Sequence, residues 1–402
     1  MKIGSPSFLD DARLRRLFDA LDGNGEDLRV VGGAVRNHFM GRPVSEIDLA
    51  TTALPETIIA RAAAAGLKSV PTGIEHGTVT VIVDHTPFEI TTLREDVETD
   101  GRRAKVVFGR DFEKDALRRD FTFNALSVSA DGTVYDYADG MLDIEARHVR
   151  FIGDPATRIR EDYLRILRYF RFHAAFAESE ADAVALKAIV ENRAGLDGLS
   201  RERVRAELMK LLDTAQAHET LSLMSGLGLL MPLIGGVFCL TRLSTLSAQA
   251  DPLLKLAAVA LLKREDAARL QEVLRLSNAE TQRLARCVQA WDALRGIGVP
   301  DAQRIRECLL HFGRQATLDA FHLAQAQAPA TDWTTALAQA ADLPEPKLPI
   351  SGADLIARGM RPGKELGEAL AHLEKRWITA GFPEDPQEID ALLSATLRIH
   401  VK

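Results

Sequence analysis

Val30-Val31-Gly32-Gly33-Ala34-Val35-Arg36, with Glu46-Ile47-Asp48 shortly after it, is the stretch that decides how this chain is read. A β-branched run enters two glycines and then a helix-forming segment. Glycines let backbone N–H groups approach a polyanion, a helix start favours negative charge, and Arg36 adds a cation. In Glu46-Ile47-Asp48 two carboxylates stand at i and i+2 of a strand-like run, which predicts both on one face. Side by side they repel unless a cation sits between them, and oxygen donors suit Mg²⁺. A third acid is available at Glu89, in Phe88-Glu89-Ile90-Thr91-Thr92-Leu93-Arg94. If its strand pairs beside 47–51, the three could hold metal ions that activate a 3′-hydroxyl and neutralise a triphosphate. Taken singly, each feature also suits a plainer role, such as a structural glycine joint or a solvated strand edge.

Outward from that stretch, the first third alternates β-branched segments (29–33, 47–51, 78–83 and 88–93) with helical patterns such as 55–65, where Pro55 opens the helix. From about Arg158 onward Leu, Ala, Arg and Glu recur at helical spacing almost to the end. The expected fold class is therefore α+β, a mixed head followed by a long helical body. A proline-bearing stretch over 328–349 is expected to set off a small C-terminal piece, with a short helix near 333–341.

The chain has 402 residues, enough for two to three domains, and 46% of them are hydrophobic, as in ordinary globular proteins. Lys and Arg number 50 against 57 Asp and Glu, a net charge of −7. That balance excludes histone-like coating of nucleic acid but not a local basic groove. The three cysteines, Cys239, Cys287 and Cys308, are placed in helix-like segments without a CxxC pair. No disulfide-linked partner is expected, and a reducing cytoplasm suits them. With no signal-like or membrane-length apolar run, a soluble cytoplasmic protein is expected, with no membrane partner.

Two further clusters carry chemistry. In Arg118-Arg119-Asp120-Phe121-Thr122-Phe123-Asn124, arginines suit phosphate oxygens and Asp suits a ribose hydroxyl. In Glu161-Asp162-Tyr163-Leu164-Arg165, continuing to Arg168, a helical pattern predicts Asp162 and Arg165 as neighbours on one face. A simple ion pair would account for them equally well.

Together VVGGAVRN, EIDLATTALPE, PTGIEHGTVTV, FEITTLR, DALRRDFTFNAL and EDYLRILR, in that order, closely resemble the bacterial class II CCA-adding tRNA nucleotidyltransferases of the polymerase-β-type superfamily. The resemblance implies a five-stranded head at 1–140, a helical neck that reads the base at 141–215, a helical body at 216–330 and a tRNA-binding tail at 331–402. It implies addition of C, C and A to the tRNA 3′ end from CTP and ATP with Mg²⁺. Glu46 and Asp48 would be the metal pair, with Glu89 beside them as the third catalytic acid. Gly32, Gly33 and Arg36 would cradle the triphosphate, Asp120 would meet the ribose, and Arg119 and Asn124 would help hold the nucleotide. Asp162 and Arg165, supported by Arg168, would read the base.

That last role has a chemical basis. Cytosine and adenine each present an amino donor beside a ring-nitrogen acceptor, which an acceptor-only Asp and a donor-only Arg complement. Uracil and guanine reverse the order, and each unpaired buried polar group costs about 1–3 kcal/mol. The charged stretch 95–104 resembles the family's flexible loop, which accompanies addition of the terminal A. Residues 200–208 resemble a further neck motif, read as mainly structural. Two positions depart from the family pattern, Glu46 and Asn37, where Asp is usual at both. Alternatives are a bacterial poly(A) polymerase, whose usual paired arginines are missing from 68–77, or a non-catalytic RNA-binding relative.

Overall fold

The β-branched segments pair into one seven-stranded sheet, two strands more than the resemblance implies. In the computed structural model, which describes residues 6–95 and 107–400, five of its strands are β1 (Leu28–Val31), β2 (Asp48–Thr51), β3 (Lys68–Gly73), β4 (Thr78–Val83) and β5 (Thr86–Thr92). Ser127–Ser129 and Val134–Tyr135 extend the sheet beyond β1, so the order is β3-β4-β5-β2-β1 followed by these two. The added strands escaped the sequence reading because they are only two and three residues long. Pro71 likewise disguised β3, which lies at the sheet's edge, where a missing N–H is tolerated. A separate ribbon pairs Arg94–Glu95 with Val107–Phe108. The expected loop at 95–104 falls, from residue 96 onward, outside the described residues.

Two registers build the centre of the sheet. β1 and β2 run antiparallel with Val31 opposite Asp48, so the Gly32 turn begins beside that acid. β2 and β5 run parallel with Asp48 opposite Glu89. A parallel pair needs a long crossover, supplied here by α3 (Pro55–Ala64), β3 and β4. The remaining helices of the first compact unit, Met1–Thr220, begin with α1 (Ala12–Leu21), α2 (Gly33–Phe39), α4 (Phe112–Leu117) and α5 (Gly140–Glu145). They continue with α6 (Pro155–Glu161), α7 (Leu164–Phe176), α8 (Ala183–Asn192) and α9 (Arg201–Leu212).

An aromatic cluster joins the sheet-bearing part to α7. Phe121 lies 4.8 Å from Phe151 and 5.3 Å from Phe172, ring centre to ring centre. Phe123 stands edge-on to Phe172 and Phe176 at 5.2 and 5.7 Å. Such pairs each add about 0.5–1.5 kcal/mol beyond their buried area. They fix which face of α7 is turned toward the Gly32 turn.

The second unit, Leu221–Lys402, is built of helices joined by turns, with no strand among its described residues. Trp333 and Ala336 pack with Leu309 and Phe321 in one apolar cluster, while Leu355, Leu373 and Leu393 form another. The helix expected near 333–341 is Thr334–Asp342, and it shares the core of the segment before it. All three cysteines are free; Cys239 lies outside the helices, where its apolar neighbours had suggested one. Among the described residues no helix is long and apolar enough to cross a membrane.

Phe121 is completely buried. Phe121→Ala is expected to cost about 3–5 kcal/mol, read as a lower denaturation midpoint of the full chain.

Candidate active site

The turn after β1 is built around Gly32, whose φ of 65° and ψ of −120° suit glycine alone. A Cβ there would stand 3.2 Å from the Arg119 guanidinium. The turn enters α2, which presents Arg36. Opposite it the chain reaches β2, but Glu46 lies ahead of the strand, which begins at Asp48. The expected i,i+2 placement on a strand face therefore does not apply to Glu46. Its backbone is not held in the ladder, yet its side chain lines the same cavity as Asp48.

That cavity, about 600 Å³, gathers eleven of the twelve residues singled out from the sequence. Gly32, Gly33, Arg36, Arg119 and Asn124 line one part, Glu46, Asp48 and Asp120 another, and Asp162, Arg165 and Arg168 the part formed by α7 and its approach. Glu89 lines an adjoining depression of about 230 Å³ that shares Gly32, Asp48 and Arg119 with it. The size suits one nucleotide.

The electrostatics divide the cavity. Asp48 is exposed, yet its surroundings disfavour charge. Partial burial, then Glu89 and Glu46, push its carboxyl above the usual range, with Arg119 opposing them. On the other side Arg36 is drawn down to about 10, first by burial and then by the nearby cations Arg171, Arg168 and Arg42. One side has surplus negative charge and the other surplus positive charge.

Asp120 links the two parts of the unit. Arg168 Nε donates to its Oδ2 at 2.6 Å, and Asn124 Nδ2 to its Oδ1 at 3.1 Å. Burial alone would raise the Asp120 carboxyl, but Arg168, Asn124 and the Phe121 N–H outweigh it and hold it low. Arg168 is thus committed to a carboxylate, and the Asp120 oxygens already accept three hydrogen bonds. Arg119 donates to the Asn124 carbonyl at 3.2 Å and pairs with buried Asp115, as does Arg118.

The Asp162 segment corrects the expected continuous helix. α6 ends at Glu161, Asp162 is extended (φ −155°, ψ 105°), and α7 starts at Leu164. Asp162 and Arg165 therefore do not stack as i,i+3 helix neighbours, and each has its own partners. Asp162 Oδ1 accepts from the Leu164 N–H at 3.1 Å and Oδ2 from Arg203 at 2.7 Å. Arg165 donates to the Arg158 carbonyl at 2.9 Å and to Glu161. Gly195 makes room for this break, since a Cβ there would lie 2.0 Å from the Tyr163 ring.

Four lining residues were missed, Leu164 among them at the start of α7. Arg171 and Phe172 continue the Arg165–Arg168 spacing along α7, so helical periodicity could have found them. Arg203, in the motif read as mainly structural, comes from α9 to grip Asp162. Nothing in the local sequence signals a contact across that separation.

Comparison with known proteins adds the decisive observation. A mitochondrial CCA tRNA nucleotidyltransferase 1 from Danio rerio is 34% identical over 397 residues, covering 92% of this chain and 88% of that protein. The chain belongs to the CCA-adding tRNA nucleotidyltransferase family. A CCA-adding enzyme from Latilactobacillus sakei is 31% identical, covering 94% and 96% of the two chains. The crystal structure of the Bacillus stearothermophilus CCA-adding enzyme in complex with CTP aligns at 28% identity with a TM-score of 0.78, covering 96% and 97%. Family models for the poly A polymerase head domain, the RNA and SrmB-binding site of polymerase A, and tRNA nucleotidyltransferase domain 2 match residues 28–150, 182–237 and 245–393.

Polymerase-β-type nucleotidyltransferases use a divalent metal. The donor chemistry here suits one, because Asp48 feels repulsion from Glu89 and Glu46 that Arg119 only partly offsets, and all three acids offer oxygen. Among the described residues no three His, Cys, Asp or Glu side chains come close enough together to hold a metal ion, so the expected three-acid cluster of Glu46, Asp48 and Glu89 is not gathered.

Asp48→Asn removes the repulsion at its centre. In metal-free buffer it should raise the thermal midpoint, since an acid with a raised folded pKa destabilises the fold at neutral pH. Nucleotide incorporation should fall by about 100-fold or more. An unchanged midpoint with wild-type incorporation would contradict this account of Asp48.

Proposed function

We propose that this chain adds C, C and A in order to the 3′ end of tRNA, taking CTP and ATP without a nucleic-acid template. The observation that carries this reading is that Asp162 and Arg165 line one nucleotide-sized cavity together with the Gly32 turn, Glu46 and Asp48. Glu46 and Asp48, with Glu89 alongside, would hold Mg²⁺, which supplies charge neutralisation and activates a hydroxyl when bound.

The chain's own residues do the rest. The Gly32–Gly33 backbone and Arg36 receive the triphosphate, with Arg119 between them and the acids. Asn124 orients Arg36, whose Nη1 donates to Asn124 Oδ1 at 2.7 Å. The 3′-hydroxyl oxygen of the acceptor RNA attacks the α-phosphorus, the new ester bond forms, and diphosphate leaves toward the arginines. Asp120 stands near the ribose, and Arg168 braces it. Asp162 accepts from the amino group of cytosine or adenine while Arg165 donates to the adjacent ring nitrogen. Asp162 is bonded to Arg203 and Arg165 to Glu161, so the two side chains are held by separate partners and not by each other.

The test offers the purified full chain CTP and ATP with tRNAs ending before C, after C and after CC. Ordered addition that stops after A supports the reading. Long A tracts on unrelated RNA would replace it with poly(A) polymerase, and no incorporation with Mg²⁺ or Mn²⁺ would leave an RNA-binding relative. Asp162→Ala should lower the preference for CTP over UTP by about 10-fold or more while the chain stays folded. Unchanged selectivity would remove the base-reading role.

A further inference from the structure

Asn37 carries no role so far, and its bonding uses both the acceptor and the donor of its amide, which a carboxylate could not supply. Its Oδ1 accepts both Nε and Nη2 of Arg36, at 3.1 and 2.9 Å. Its Nδ2 donates to the Pro43 carbonyl at 3.2 Å. A guanidinium only donates and a carbonyl only accepts, so the side chain between them needs one acceptor and one donor. The remaining Arg36 bond, from Nη1, ends on the Asn124 amide oxygen. All three side-chain hydrogen bonds of Arg36 therefore end on neutral oxygens.

The surroundings leave that charge standing. The rings of Phe172 and Phe176 lie 5.2 and 5.0 Å from the guanidinium carbon. The acid that Arg36 feels, Asp120, is already bonded to Arg168 and Asn124. Arg171, Arg168 and Arg42 are cations nearby. Arg36 is held in place at its fork but not neutralised there.

We propose that Asn37 is a positioning residue that sets the affinity for the polyphosphate, both the triphosphate of the incoming nucleotide and the diphosphate that leaves. It grips the Arg36 fork with a neutral oxygen, so the full positive charge remains for the ligand. A carboxylate in the same place would fix Arg36 equally well and cancel much of its field. The same amide ties α2 to the segment that leads through Pro43 to Glu46 and Asp48, which joins the phosphate side of the cavity to the acid side. This inference rests on the nucleotidyl-transfer reading above.

Two variants of the full chain separate charge from geometry. Asn37→Asp and Asn37→Ala both lose the donation to Pro43, but only Asp neutralises Arg36. Inorganic diphosphate binding is measured by calorimetry at fixed Mg²⁺, alongside KM and kcat for CTP on a bare-ended tRNA. Asn37→Asp is expected to weaken diphosphate about tenfold and raise the CTP KM in parallel, with kcat changed far less. Its ligand-free thermal midpoint should rise, because the new charge relieves the crowded arginines. Asn37→Ala should bind diphosphate within about threefold of the parent chain. Equal weakening in both variants, or unchanged binding in Asn37→Asp, overturns the inference. If the parent chain itself adds nothing to tRNA, the transfer reading fails instead, and the two failures are told apart by the parent's assay.

Discussion

The buried contact between Asp120 and Arg168 is the joint on which the cavity depends. Asp120 follows α4 on the sheet-bearing side, Arg168 stands on α7, and their 2.6 Å bond sits against the aromatic cluster of Phe121, Phe123 and Phe172. Removing one member of such a pair leaves a charge unpaired in a poor solvent, at a cost of about 3–5 kcal/mol. The bond also has a geometric effect. It holds the arginine-bearing face of α7 toward the Gly32 turn, so that residues far apart in sequence meet around one nucleotide-sized space.

Within that space the structure leaves charge uncompensated on both sides. Partial burial, then Glu89 and Glu46, raise the Asp48 carboxyl against Arg119, while burial and neighbouring arginines lower Arg36. Groups that exist only to brace the fold are usually paired out, as Asp115 is by Arg118 and Arg119. The unrelieved groups are the ones a metal-bound nucleoside triphosphate would satisfy, with cations at the acids and phosphates at the arginines. Charge left uncompensated in this way is a common pattern at functional sites.

Much of the site was legible because its parts are local. A β-branched run into Gly32-Gly33, an acid pair, and Arg-Arg-Asp-x-x-x-Asn each announce themselves within a few residues. Glu89 required one non-local assumption, the pairing of its strand with β2, and the parallel register places it opposite Asp48. Two local readings did not hold. Helical periodicity across Glu161–Arg168 hid the break at Asp162, where Asp162 caps the Leu164 N–H and is held by Arg203, and Tyr163 packs against Gly195. Strand spacing likewise misplaced Glu46, since pairing with β1 stops at Asp48. Arg203 had no local signal at all.

The amino-acid order by itself determined the α+β plan, the glycine turn, the acids and the candidate base-reading residues, because each rests on backbone preference or side-chain chemistry over a short span. Tertiary structure decided what those groups can do together. It gave Asp162 and Arg165 separate partners, brought Arg203 and Arg171 into the cavity, and left Arg36 bound to neutral oxygens. Those outcomes depend on which distant charges and rings come within a few ångströms of one another, and chain folding alone fixes those separations.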